Sequence, residues 1–208
     1  MDLSFRPYQE RDFKPLTRII RQTWHYDQLT DSKTAGKMAA VFLRSCLANQ
    51  TFSTVALYKG TPVGIILGKN CFTHRCSIYE RLRQIQAILH LYASREGRQV
   101  AQLFGNVSTV DQQLLKECKK TYSAELALFV VDSSYRGMGL GQLLYQAFLD
   151  YLHQEYLHDF YLFTDTSCNF AFYERKGMTR RCELKKKVTI KEGVHDMNFF
   201  IYDATLSN

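Results

Sequence analysis

Apolar residues at Phe13, Leu16, Ile20 and Trp24 recur at three- and four-residue spacing. That spacing predicts a helix over 11–24, behind a short strand at 3–8. Thr30-Asp31-Ser32 supplies N-cap chemistry for a second helix with Met38, Phe42 and Cys46 or Leu47 on its apolar face and a stop at Asn49. Residues 52–58 and 63–68 read as strands joined by the turn Lys59-Gly60-Thr61-Pro62, which makes a hairpin. The segment 69–123 is far longer than a strand connection needs. Ile78, Leu82, Ile85, Leu89 and Tyr92 form one helical stripe, and Gly97 interrupts. Val100, Leu103, Phe104 and Val107 form a weaker stripe, and Leu114, Leu115 and Cys118 suggest a third, short helix.

Beyond it, Glu-Leu-Ala-Leu-Phe-Val-Val at 125–131 is a nearly continuous apolar run, as expected of a buried central strand. An amphipathic helix is expected over 137–153, a second central strand over 160–163 and a short helix over 167–175 that Gly177 stops. Two closing strands, 181–184 and 198–206, flank a Lys-rich turn at 185–187. The expected order is βααββ, a helical insertion, then βαβαββ. It describes one α/β domain over 1–208 with a mixed central sheet, flanking helices and an insertion between the third and fourth strands.

Composition changes this picture little. With 208 residues, 46% hydrophobic and 23% charged, the chain is sized for one globular domain. The formal charge of +7 suits an anionic partner. No apolar run approaches the ~18 residues of a membrane span. The start, Met1-Asp2-Leu3-Ser4-Phe5-Arg6, has no cationic region followed by an apolar stretch, so no export signal is expected. A cytoplasmic protein with six reduced cysteines is the reading. Cys71, His74 and Cys76 lack a second half-site, so no metal site is expected.

The chemistry lies in Val131-Asp132-Ser133-Ser134-Tyr135-Arg136-Gly137-Met138-Gly139-Leu140-Gly141. A buried strand ends and a glycine-rich turn opens a helix. The first N–H groups of a helix lack internal partners and sit at the positive end of its dipole. Glycines there let a phosphate approach, and Arg136 adds a bidentate cation. The plain alternative is a helix start that only packs tightly, but each glycine costs ~1 kcal/mol within a helix. The spacing is neither the G-x-G-x-x-G of a dinucleotide fold nor a P-loop.

This stretch resembles the Q/R-x-x-G-x-G/A acyl-CoA signature of the GNAT superfamily of N-acyltransferases. Phe172-Tyr173-Glu174-Arg175-Lys176-Gly177-Met178 is similar to that family's later Phe-Tyr-x-x-x-Gly block. The likeness is close over 124–206, rests on layout over 2–68, and does not extend to 69–123. In many members an Asn lies seven residues before the Tyr. Here that position is Thr166, and Asn169 lies four before it.

The resemblance implies acetyl-CoA as co-substrate, held where the strands 125–131 and 160–165 splay. Backbone groups of Phe129, Val130 and Val131 would pair with its amides. Arg136, Gly137, Met138, Gly139, Leu140 and Gly141 would hold the pyrophosphate, and Asn169 and Phe172 are further cofactor-binding candidates. An amine would attack the thioester directly. Tyr173 is the candidate proton donor to the departing thiolate, or else packs beneath its helix. Glu125 is the candidate base, or else a solvated strand-end carboxylate, with Glu80 and Glu96 as further candidates. Asp165 is read as a cap for the Tyr173 helix. A non-catalytic acyl-CoA-binding module shares the same cradle. The basic cluster Arg180, Arg181, Lys185, Lys186, Lys187 and Lys191 raises an enzyme acting on aminoacyl-tRNA, although no nucleic-acid fold signature accompanies it. The insertion is expected to serve as an acceptor lid or a homodimer face.

Overall fold

The computed structural model describes residues 2–190 and 193–206, with side chains outside 103–106, 188–190 and 193–195. The side chains of Leu103 and Phe104, and the whole of Lys191, therefore lie outside the description. The chain runs β1 (Leu3–Arg6), α1 (Phe13–Thr23), α2 (Tyr26–Leu29), α3 (Ser32–Ala48), β2 (Phe52–Tyr58) and β3 (Thr61–Asn70). It continues through α4 (Ile78–Tyr92), α5 (Arg95–Glu117), β4 (Ala124–Val131), α6 (Leu140–Gln154), β5 (Asp159–Asp165), α7 (Ala171–Arg175), β6 (Thr179–Ile190) and β7 (Gly193–Thr205).

Local chemistry sets several boundaries. The Asp31 carboxylate accepts the N–H groups of Lys33 and Thr34 at 2.9 and 3.1 Å, which starts α3 as expected, and Asn49 caps its end. Ser94 caps α5 by accepting the Gly97 N–H at 3.2 Å. The break after α4 therefore falls at Ala93 and Ser94, and Gly97 lies inside the next helix. One helix of 23 residues then runs to Glu117, where two were expected. Lys185, Lys186 and Lys187 form part of the long strand β6 rather than a turn, because they pair with Asn198, Met197 and Asp196 of β7.

The sheet has the order β1-β2-β3-β4-β5-β7-β6, antiparallel throughout except between β4 and β5. On one face Leu16, Ile20, Met38 and Leu43 of α1 and α3 pack on Val55, Ile65 and Leu67. On the other, Leu144, Phe148 and Leu152 of α6 pack on Ile66, Phe160 and Phe200. Helix α5 spans two cores. Val100 and Ala101 join the first, and Val110 and Leu114 cover Tyr161, Phe199 and Ile201. It is thus part of the protein's interior packing. The connection to β4 is fixed by the buried Asp203 carboxylate, which accepts from Tyr122 at 3.0 Å, Lys120 at 3.2 Å and Arg181 at 3.1 Å. Cys118, at the end of α5, lies 2.9 Å from Cys182 of β6, sulfur to sulfur, and all six cysteines are free thiols.

One irregularity governs the centre. In the β3–β4 ladder, Leu67 pairs with Leu128 and Gly68 with Leu126, so Ala127 is an extra residue. Side chains change faces across this bulge. Ala124 and Leu126 face α6, whereas Leu128 and Val130 face α1 and α3. Gly68 lies beside the bulge with no room for a side chain: a Cβ there would sit 2.6 Å from the fully buried Phe148 ring. Gly68→Ala is expected to cost about 1–3 kcal/mol through overpacking. Urea unfolding should show a lower midpoint with an unchanged slope.

Candidate active site

The parallel ladder between β4 and β5 pairs only Ala124 with Phe160 and Glu125 with Tyr161. Past that point β4 stays on β3 as far as Val131, and β5 stays on β7 as far as Asp165. The two strands part just where the bulge bends β4, and a cleft opens between them. The Asp132 N–H donates to Val63 O at 2.8 Å, and Val130 O would lie 2.9 Å from a Cβ on Gly64. Both groups therefore point at β3. Backbone direction alternates along a strand, so the N–H and C=O of Phe129 and Val131 face the cleft and those of Val130 do not. Of the three residues expected to pair with an amide chain, Val130 is corrected to a core and β3 contact.

The glycine-rich turn sits at the cleft's end. Asp132 is buried and accepts the Ser134 N–H at 2.9 Å, which folds the chain back. Gly137 and Gly139 have φ of +82° and +76°, and a Cβ on either would meet nothing within 4 Å. Their conformation demands glycine, and the space above them is open. Helix α6 begins at Leu140, later than the expected 137, with Gly139 as an N-cap that provides no side-chain acceptor. Leu143 N–H closes the first turn on Gly139 O at 3.1 Å. The N–H groups of Leu140, Gly141 and Gln142 are left without helical partners. Arg136 and Met138 are exposed beside them, while the Leu140 side chain is buried in the core. Gly141 lies beneath Phe129 and Phe172, where a Cβ would make ordinary contact at 3.5 and 3.9 Å.

The opposite wall is α7. The Phe172 ring meets those of Phe129 at 5.3 Å and Tyr145 at 5.5 Å, which ties α7 to β4 and α6. Tyr173 follows it, its ring 6.0 Å from that of Tyr202. Burial, with Cys168 and Tyr145 nearby, pushes the Tyr173 phenol above its usual pKa, so it stays protonated at neutral pH. Among the described residues its hydroxyl has no hydrogen-bond partner. Asn169 is exposed. Thr166 is engaged elsewhere, its N–H on Asn198 O at 3.0 Å and its hydroxyl accepting the Asn198 N–H at 3.4 Å. Asp165 accepts the Ser167 N–H at 2.7 Å and closes a local turn. The α7 N-cap is Phe170, so the expected capping role of Asp165 is corrected.

Glu125 lies at the cleft's floor. It is buried rather than solvated. Its Oε2 accepts from Tyr161 at 3.2 Å and Lys69 at 3.4 Å, with Asn49 Nδ2 at 3.5 Å. The neighbouring negative charge pushes the Tyr161 phenol up after burial has done so. A third group comes from the insertion. Asp111 of α5, between the buried Val110 and Leu114, has its pKa pushed up to about 7 by burial and then by Glu125 and Asp165. Sequence reading missed it because the motifs stop short of 69–123. Treating 95–117 as one helix would have placed it beside the inward-facing Val110 and Leu114. Glu80 of α4 instead lies 3.9 Å from Arg83, which pairs with Glu10 ahead of α1, and Glu96 is exposed.

A cavity of about 450 Å³ lies elsewhere, lined by Gln142, Gln146, Lys176, Thr179 and Arg181 among others. None of the residues expected for the site lines it. Much of the basic cluster is internally neutralised. Arg180 bonds Glu174 at 3.0 Å, Arg181 bonds Asp203 and Lys185 bonds Asp196 at 2.9 Å. Among the described residues, no group of three His, Cys, Asp or Glu is placed to hold a metal, and no helix is long and apolar enough to cross a membrane.

Three comparisons bear on this arrangement. Curated proteins gave no match. Among solved structures, PH1933 from Pyrococcus horikoshii OT3 is similar at TM-score 0.60 and 15% identity over 99% of both chains. Ard1 from Thermoplasma volcanium is similar at TM-score 0.56 and 16% identity over 100% of both. The ribosomal-protein-S18-alanine N-acetyltransferase from Escherichia coli is similar at TM-score 0.51 and 13% identity, over 99% of this chain and 96% of that one. At such identities these show the fold. Residues 14–178 match the model of the Acetyltransferase (GNAT) family, and this chain belongs to that family.

Proposed function

We propose that this protein transfers an acetyl group from acetyl-CoA to a primary amine by direct attack on the thioester. The observation that carries this reading is the cleft between β4 and β5 with an uncapped helix N-terminus at its end. The cofactor supplies an activated acyl group. The chain's own residues fit its parts. Free N–H groups of Leu140, Gly141 and Gln142, with Arg136, suit a pyrophosphate. The backbone of Phe129 and Val131 suits the amides of the pantetheine arm, and Phe172 forms an apolar wall.

Three tasks remain for the protein. A lysine-like amine with pKa near 10.4 costs about 4–5 kcal/mol to deprotonate at neutral pH. Asp111, poised at about 7, is suited to remove that proton, directly or through water. Glu125, held by Lys69 and Tyr161, contributes the negative field that draws an ammonium group to the cleft. The Phe129 N–H, facing the cleft, is the donor for charge developing on the thioester oxygen. Tyr173, neutral beforehand and free to donate, protonates the departing thiolate.

Thiol release from acetyl-CoA over polyamines, aminoglycosides, amino acids and peptides tests the reading. Release with one amine class supports it. Tight binding of acetyl-CoA with no turnover on any amine overturns it in favour of a binding module. Arg136→Ala should raise the acetyl-CoA dissociation constant about 5–30-fold by calorimetry, as loss of one exposed charge-assisted contact would. Tyr173→Phe should lower kcat by about 10²–10⁴ with acetyl-CoA affinity nearly unchanged. A base works unprotonated, so kcat/KM should rise with pH through about 7. Asp111→Asn should abolish that rise. It should also raise the melting temperature at pH 8, because a carboxyl with a raised folded-state pKa destabilises the fold once ionised.

A further inference from the structure

Helix α4 is apolar on two faces. Its inner face holds the buried Leu91 and the half-buried Ala87 and Ile88 against the first core, and Gln84 bonds Ser45 of α3 at 3.0 Å. Its outer face carries Ile78, Leu82, Ile85, Leu89 and Tyr92, all exposed. These five are spaced four, three, four and three residues apart, the repeat of a coiled-coil seam. Twelve large apolar side chains stand exposed among the described residues, and with Tyr79 this one helix carries six of them. Ile78 is 81% exposed and Leu89 63%. With side chains of about 150–250 Å² for the aromatics and somewhat less for the aliphatics, the patch amounts to roughly 600 Å². The largest apolar patch on a monomer is about 300–600 Å², and a stable interface takes about 800 Å² from each partner.

The geometry points to a second copy of this chain as the occupant, with α4 packing antiparallel on its two-fold mate. A membrane-surface helix presents a charged face to water opposite its apolar one, whereas the reverse face of α4 is packed against α3. A partner chosen by charge needs unpaired charge at the rim. The positions flanking the seam are Tyr79, Arg81, Gln86, Ile88 and Ala93, and they offer one charge, Arg81, hydrogen-bonded to the neutral amide of Gln84 at 2.7 Å, too little to select a partner by charge. Arg83 is taken by Glu10. What fits is another apolar seam of the same length. Ile85 lies seven residues from both Ile78 and Tyr92, so the stripe nearly maps onto itself when reversed, as a two-fold contact requires.

Sedimentation velocity on the full chain at micromolar concentration tests this without reference to acetyl transfer. Wild type is expected as a dimer. The double variant Leu82→Glu, Leu89→Glu should raise the dissociation constant at least about 100-fold, because it would bury unpaired like charges in the interface. Its circular dichroism and melting in dilute solution should match a monomeric fold, since both side chains are exposed in the single chain. Tyr156→Glu, at a position 84% exposed beyond α6, should leave the dimer intact. A wild-type monomer up to about 100 µM overturns the inference, whether or not that monomer pellets with anionic vesicles. So does a dimer that survives the double substitution, or one that Tyr156→Glu also dissolves.

Discussion

Backbone N–H and C=O groups withdrawn from water need partners, and along one edge of β4 this fold withholds them. The extra residue Ala127 bends the strand and exchanges the faces of its side chains. After Glu125 the strand no longer reaches β5. Each strand remains anchored on its outer neighbour, so the gap is held open by the sheet itself. A cleft formed this way presents unspent main-chain hydrogen-bonding groups at fixed spacing. Everything at the site refers to this opening. The glycine-rich turn lies at its end, Phe172 and Tyr173 form one wall, and Glu125 marks the last bonded rung.

Around the floor of the cleft the structure concentrates carboxyl groups in a protein whose net charge is positive. Glu125 is buried, with Lys69 and Tyr161 donating to its Oε2. Asp111 is withdrawn from water and feels the negative charges of Glu125 and Asp165, which is why its proton is held to near neutrality. The same helix that brings Asp111 also fills the space over Tyr161, Phe199 and Ile201. The insertion is thereby committed to the core by α5, while α4 turns an apolar seam outward. These are opposite fates for two helices in the same insertion, and they follow from which of their faces the sheet and α3 cover.

Two groups of positive charge differ in their surroundings. On β6 it is largely absorbed by Glu174, Asp196 and the buried Asp203, so it serves the closing strands. At Arg136 it is exposed and adjacent to a helix N-terminus whose dipole has the same sign.

Patterning in the sequence was enough to determine the order of the strands and main helices outside the insertion, the N-cap of α3, the mixed α/β sheet and the family to which the glycine-rich turn and the Phe-Tyr block belong. Those features are local: a cap needs residues three apart, and a phosphate turn needs glycines where φ is positive, as at Gly137 and Gly139. What remained hidden depends on residues distant in sequence. A bulge at Ala127 exists only relative to β3. The roles of Val130 and Thr166 depend on what lies beside them across the sheet. Asp111 becomes a candidate base only because α5 is continuous and lies against Tyr161. The Ile78 to Tyr92 stripe was visible as a helix face, yet an apolar stripe reads the same buried or exposed. Only tertiary packing, by covering one face of α4 with α3 and leaving the other bare, decided which it is.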